Sequence, residues 1–104
     1  MNNNLDKLFE ENIKNNIIQK NYNECINLLS MKIKSILKNN ISKKNELFET
    51  ESLDLMIEDG YKYLNETDLE LLYKFYNAVR FTEDRQVKIS KMLEIYKNLK
   101  YVIR

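Results

Sequence analysis

The chain has no proline and only one glycine, Gly60, among its 104 residues. Proline and glycine are the residues that most strongly interrupt or weaken helices, so this composition permits helix over long stretches. Apolar residues recur at three- and four-residue steps along almost the whole sequence, which is the spacing typical of amphipathic helices. The sequence therefore predicts an all-α protein.

The length fits one domain, so we expect a single up-and-down bundle of four to five helices over residues 1–104. Hydrophobic residues make up 43% and charged residues 32% of the chain, which is ordinary globular usage and argues against disorder. One cysteine and no histidine exclude an internal disulfide and the usual zinc ligand sets. No cofactor motif is present, and we expect no cofactor.

No apolar run approaches the roughly 20 residues that a membrane span needs. The start of the sequence, MNNNLDKLFEEN, lacks the basic region and apolar stretch of a signal peptide. These two features predict a cytoplasmic protein that does not associate with a membrane.

Charge is segregated along the chain. Residues 1–45 carry eight Lys and four acids, residues 46–72 nine acids and one Lys, and residues 73–104 eight basic residues and three acids. An acidic middle between basic ends either packs beside them or presents an acidic face to a partner. This balance does not favour nonspecific nucleic-acid binding by the whole domain.

The first half of the chain predicts two helices. The first covers residues 5–18, and the second starts after Asn21, a suitable helix cap that Glu24 could support by reaching back. Residues 39–45, NNISKKN, are polar and poorly periodic, so we expect the longest loop there.

The third predicted helix covers residues 46–64 and places Tyr61 on its buried stripe. Gly60 lies in the same stripe, where it costs about 1 kcal/mol of helix stability relative to alanine and indicates a close helix approach or a bend. Thr67 and Glu70 then match the capping box of a fourth helix over residues 68–81. Thr82 is the predicted cap of a fifth helix with two acids in its first turn.

Other candidate chemistry has a plainer structural explanation. Cys25 lies on the apolar stripe of the second helix with no histidine to activate it, so we expect it in the core. Asp54 and Glu58 lie one helical turn apart and could hold a divalent cation, but a solvated acidic face is the favoured interpretation. Basic residues of the fifth helix fall on both flanks of its apolar stripe, so they form no single basic ridge.

Arg80 is the residue that most invites a functional interpretation. It follows Val79 at the end of the most aromatic helix, where a permanently charged guanidinium needs a carboxylate, a carbonyl or a phosphate. Glu83 and Asp84, just across the next turn, could supply the carboxylate. A local ion pair and a functional role both remain open for this arginine.

Two stretches of the chain resemble HEPN domains (higher eukaryote and prokaryote nucleotide-binding). NYNECINLLSMKIKSILKN, residues 21–39, looks like the family's long amphipathic helix, and LLYKFYNAVRFTEDRQVKISKMLEIYKNLKYVI, residues 71–103, looks like its later helix, arginine turn and final helix. Asn77 and Arg80 match positions specific to the motif.

The resemblance carries expectations about function. Active members of the family use an arginine and a histidine, usually brought together across a dimer, to cleave RNA by way of the 2′-hydroxyl. Arg80 matches the arginine, but the place of the histidine holds Arg85, Gln86 or Val87, none of which can shuttle a proton near neutral pH. The resemblance then implies a dimerisation or partner-binding module, in a toxin–antitoxin or phage-defence setting.

Our leading hypothesis is a noncatalytic bundle that binds a protein partner or itself, most simply as a homodimer. The alternative is a relative that binds or cleaves RNA with Arg80, Arg85 and tyrosines such as Tyr73. The candidate interaction or RNA-contact residues are Arg80, Arg85, Glu83, Asp84 and Tyr73. A small-ligand pocket in the bundle core has no specific support in the sequence.

Overall fold

The computed structural model describes residues 3–43 and 52–101, which form five helices and no strand. In chain order they are α1 (Asn3–Ile18), α2 (Tyr22–Ser42), α3 (Leu53–Tyr63), α4 (Glu66–Phe81) and α5 (Arg85–Tyr101). Their apolar faces share one core, to which all five helices contribute buried side chains. The predicted all-α bundle of four to five helices is confirmed.

α2 and α5 form the centre of the bundle and make its most extensive helix–helix contact. α1 packs against α2, α4 packs against α5, and α3 packs against both α4 and α2. Consecutive helices double back on each other at the short α1–α2, α3–α4 and α4–α5 links. α2 and α5 run in the same direction. Gln86 at the start of α5 donates a hydrogen bond to the Tyr22 hydroxyl at the start of α2 (3.0 Å), and further along the two helices Lys32 and Tyr96 both contact the Phe9 ring.

The turn between α1 and α2 is a Schellman motif. Lys20 has a φ of 61°, in the left-handed region that favours glycine. The Asn21 N–H donates to the Asn16 carbonyl (2.8 Å) and the Lys20 N–H donates to the Ile17 carbonyl (3.0 Å). Asn21 precedes α2 as predicted, but its side chain makes no cap bond and donates to Gln19 Oε1 instead (3.2 Å).

α2 is longer than the sequence predicted. Its fully buried residues recur every four positions: Cys25, Leu29, Ile33, Leu37 and Ile41. Residues 39–42 were expected in a loop because three of the four are polar, and this prediction is wrong, since they form the last turn of α2. Burial of Ile41 against the core outweighs the local polarity. Residues 44 and 45 of the predicted loop lie outside the described residues.

α3 begins at Leu53, and residues 46–51 of the predicted helix lie outside the described residues. Gly60 is buried, and a Cβ built there would lie 2.8 Å from Leu72 Cδ2 and 3.1 Å from Leu64 Cδ1. The glycine therefore marks a close approach between α3 and α4, one of the two predicted alternatives. The placement of Tyr61 on the buried stripe is wrong, because this side chain is 73% exposed.

α4 starts two residues before the predicted position. Asn65 is the N-cap, and its side-chain oxygen accepts a hydrogen bond from the Asp68 N–H (2.8 Å), so the prediction of Thr67 as cap is wrong. The carboxylate of Asp68 is itself buried and accepts a hydrogen bond from Asn40 Nδ2 of α2 (3.1 Å). This bond joins the end of α2 to the start of α4.

The cap of α5 also differs from the predicted one. The N-cap is Asp84 and not Thr82, because the Asp84 side chain accepts a hydrogen bond from the Val87 N–H (3.0 Å). The Thr82 hydroxyl accepts from Lys91 Nζ (3.2 Å), and Lys88 Nζ donates to the Val79 carbonyl (3.4 Å). Two lysines of α5 thus lie at the carboxyl end of α4, where positive charge is favourable.

We expect Asn40→Ala to lower the free energy of unfolding by about 1–3 kcal/mol, because the buried Asp68 carboxylate loses one of its donors. Equilibrium unfolding in urea measures this change. Asn39→Ala, at an exposed position of the same turn, is the control and should change the free energy by less than about 0.5 kcal/mol. Equal values for the two variants would show that the bond to Asp68 contributes nothing.

Candidate functional site

Arg80 lies in the last turn of α4 and reaches the start of α3. Its Nη2 lies 3.2 Å from Asp54 Oδ2 and 3.3 Å from Asp54 Oδ1. Its guanidinium carbon lies over the Tyr76 ring, 5.3 Å from the ring centroid, and the Tyr76 ring meets the Phe81 ring edge-on at 6.2 Å. Arg80 is therefore held from two sides while about half of its side chain remains exposed.

The carboxylate that pairs with Arg80 is Asp54, not Glu83 or Asp84 as the local alternative predicted. Both of these acids lie in the link after α4, where Glu83 is exposed and Asp84 caps α5. An ion pair as exposed as Arg80–Asp54 contributes only about 0–1 kcal/mol to stability. Its main effect is to fix the position of the guanidinium.

Arg85, the second candidate arginine, has different partners at the start of α5. Its guanidinium carbon lies 5.9 Å from the centroid of the Tyr22 ring, and its Nη1 donates to Asn23 Oδ1 (3.4 Å). Gln86 bonds the hydroxyl of the same tyrosine. Arg85 therefore belongs to the junction between α2 and α5, whereas Arg80 belongs to the junction between α3 and α4.

Tyr73, the remaining candidate, lies on α4 two turns before Arg80 and is 41% exposed. It belongs to a row of five residues at steps of three, four, three and four, which we call the outer stripe of α4: Glu66, Leu69, Tyr73, Tyr76 and Arg80. The first, third and fifth are exposed, and the other two are half-buried. The opposite side of α4 is buried in the core through Leu71, Leu72, Phe75 and Ala78.

Cys25 is fully buried in the core, as predicted. Burial raises the pKa of its thiol, which lowers the fraction of reactive thiolate.

Within the described ranges, no group of three or more His, Cys, Asp or Glu residues is placed to hold a metal ion. Asp54, considered above as a cation ligand, pairs with Arg80.

No protein-family model, curated protein or solved structure matches this chain. None of the helices in the described part has the length and apolar character needed to cross a membrane. The likeness to HEPN domains therefore rests on the quoted residues alone.

Sequence reasoning singled out Arg80 but not its partner, which lies 26 residues earlier. The pair forms because α3 and α4 pack as an antiparallel hairpin, which brings the first turn of α3 beside the last turn of α4. In the sequence, Gly60 indicates this packing, because a glycine within the buried stripe predicts that another helix comes close to α3. Identifying that helix as α4 would have pointed to Asp54.

Proposed function

We propose that this protein is a noncatalytic helical bundle that works through protein–protein contact, with the outer stripe of α4 as its contact surface and a second copy as its partner. The observation that supports it best is the exposed Tyr73, midway between an exposed acid and an exposed arginine. The chain has no histidine. In this proposal the protein shares with HEPN domains a helical scaffold and the arginine turn, but not the ribonuclease chemistry.

The side chains of the outer stripe suit a protein interface. Tyrosine and arginine are enriched at the energetically important centres of interfaces, because each combines a large contact area with hydrogen-bonding groups. Leu69 and Tyr76, on either side of Tyr73, are half-buried against the core and keep part of their surface exposed. The alternating three- and four-residue steps are those of helices that pack side by side.

The charges of the stripe are self-complementary. Tyr73 lies seven residues after Glu66 and seven residues before Arg80. If two α4 helices pack antiparallel about a two-fold axis at Tyr73, each Arg80 lies opposite Glu66 of the second copy. One interface then contains two ion pairs on either side of a tyrosine pair, and the antiparallel helix dipoles also attract.

Contacts within one copy already hold the Arg80 side chain in position. Asp54 accepts hydrogen bonds from one of its terminal nitrogens, and Tyr76 supports the face of the guanidinium. A guanidinium has five N–H donors, so donors remain for a further carboxylate. Because the side chain is already ordered, binding costs less conformational entropy.

Charge reversal tests this function. Light scattering after size exclusion should show a dimer for the wild type, whose dissociation constant rises by about tenfold or more in Glu66→Lys and in Arg80→Glu, since like charges then face each other. The double variant should recover the dimer. Glu58→Lys reverses an exposed acid outside the stripe and should leave the dimer intact. A wild type that stays monomeric at every concentration rejects the proposal.

Cross-linking tests the position of the axis. Only a residue on the axis meets its own counterpart, and a disulfide requires Cβ atoms about 3.5–4.5 Å apart. Oxidised Tyr73→Cys should therefore run as a covalent dimer on a non-reducing gel. Tyr61→Cys, an exposed tyrosine position on α3, should not, and the buried Cys25 does not interfere. Similar cross-linking of the two variants argues against an axis at Tyr73.

One observation favours RNA binding or cleavage as a second candidate function. Arg80 and Arg85 each lie over a tyrosine ring, at the end of α4 and the start of α5. Arginine and aromatic side chains together are used to bind single-stranded nucleic acids. Asp54 weighs against this candidate, because it neutralises one of the two arginines.

Incubation with tRNA and total RNA, and fluorescence anisotropy with a single-stranded RNA at two salt concentrations, discriminate the two functions. Salt-sensitive binding or cleavage that is lost in Arg80→Ala and Arg85→Ala establishes the second candidate. Intact RNA, with no salt-sensitive binding, removes it and leaves the protein-contact function.

A further inference from the structure

A groove of about 230 Å³ runs along the bundle between α1 and α5. Ile13 and Tyr96 are buried at its floor, and Phe9, Ile17 and Leu93 form half-buried walls. All five side chains are apolar or aromatic. The groove is separate from the outer stripe of α4, with which it shares no residue.

Contacts within the bundle fix the shape of the groove. The Phe9 ring packs on the Tyr96 ring with centroids 5.3 Å apart, and Lys32 of α2 lies over the Phe9 ring at 5.6 Å. Phe9, Ile13 and Ile17 follow one another at four-residue steps, so the α1 side of the groove is about 12 Å long, equal to roughly two helical turns. This length suits a short docked helix.

Charged residues at the rim indicate what a docked helix would carry beside its apolar face. Lys14 of α1 and Lys97 of α5 are exposed on opposite sides of the groove, and Glu10 is the acid beside them. Within the described residues neither lysine forms an ion pair. The rim is therefore positive on balance and complementary to a partner with acidic flanks.

We propose that the groove between α1 and α5 binds an amphipathic helix of a partner protein. Its apolar stripe would lie in the groove against the half-buried Phe9, Ile17 and Leu93. Asp or Glu residues beside that stripe would pair with Lys14 and Lys97. A groove between two neighbouring helices accepts a third helix by the same ridge packing that joins the other helices of the bundle. This site is independent of the function proposed for α4.

Two synthetic 18-residue peptides test the proposal on the full chain. Both carry the same leucine stripe, with glutamates flanking it in one and lysines in the other. Fluorescence anisotropy at low salt should show the glutamate peptide binding about tenfold more tightly, with the difference shrinking as sodium chloride is added. Equal affinities for the two peptides, or no binding of the glutamate peptide, overturn the proposal.

A pair of double variants shows where the peptide binds. Lys14→Glu with Lys97→Glu should reverse the preference, so that the lysine peptide binds more tightly. Lys43→Glu with Lys62→Glu changes the net charge equally at exposed positions outside the groove and should keep the wild-type preference. Circular dichroism confirms that all variants remain helical. If both double variants reverse the preference, the effect is nonspecific electrostatics and the site is rejected.

Discussion

Ile41→Ala is expected to lower the free energy of unfolding by about 2–5 kcal/mol, the usual cost of truncating a fully buried aliphatic side chain. Ile41 occupies the last turn of α2 and has no exposed surface. Its loss removes apolar burial and leaves a cavity where α2 ends. In a polar surface loop, which the local sequence suggested, the same substitution would cost almost nothing.

Met31→Ala is the matched control for Ile41→Ala. Met31 lies on the same helix but is 69% exposed, so its truncation should change the free energy of unfolding by less than about 0.5 kcal/mol. Equilibrium unfolding in guanidinium chloride, followed by circular dichroism, measures both variants. If Ile41→Ala unfolds at the same midpoint as Met31→Ala, the last turn of α2 does not form in solution.

Phe75→Ala is expected to cost about 3–5 kcal/mol, the largest effect we predict. Phe75 is fully buried on the core side of α4, and its ring is among the largest buried side chains of the described chain. Tyr73→Ala, two residues earlier on the outer stripe, should lower the stability of the monomer by only about 1 kcal/mol, because Tyr73 is 41% exposed, and should weaken dimerisation. The two variants separate what α4 does for the fold from what it does for association.

Stability should be compared at a protein concentration where the wild type is monomeric, because dimerisation adds to apparent stability. Light scattering on the same samples then reports association. A loss of several kcal/mol in monomeric Tyr73→Ala would place that side chain in the core and remove it from the contact surface. Retained dimerisation in Tyr73→Ala would contradict the two-fold contact.

The existence of the helices was predictable from the sequence because their apolar spacing is regular, but their ends were not. Asn65 with Asp68 and Thr67 with Glu70 are overlapping cap patterns in the same six residues. Local sequence alone does not rank them. The structure uses the first, and burial of Asp68 against Asn40 of α2 is a tertiary interaction that no short window contains.

The same limit applies inside α3. Its most buried residues are Leu53, Met56 and Gly60, so the buried stripe passes through the glycine. The hydropathy pattern predicts both Gly60 and its neighbour Tyr61 on the buried stripe, whereas the structure buries the glycine and exposes the tyrosine. The candidate arginine could be chosen from its type and position, whereas its pairing with Asp54 depends on how α3 lies against α4.

The parallel pairing of α2 with α5 has a consequence for how the chain folds. The contact between Tyr22 and Gln86 closes a loop of 64 residues, so the central pair of the bundle forms only after a large loss of chain entropy. Bundles whose neighbours are all local in sequence avoid this step and fold fastest. During synthesis, α1 and α2 can form a hairpin early, but the part of α2 that packs on α5 stays uncovered until α5 has been made.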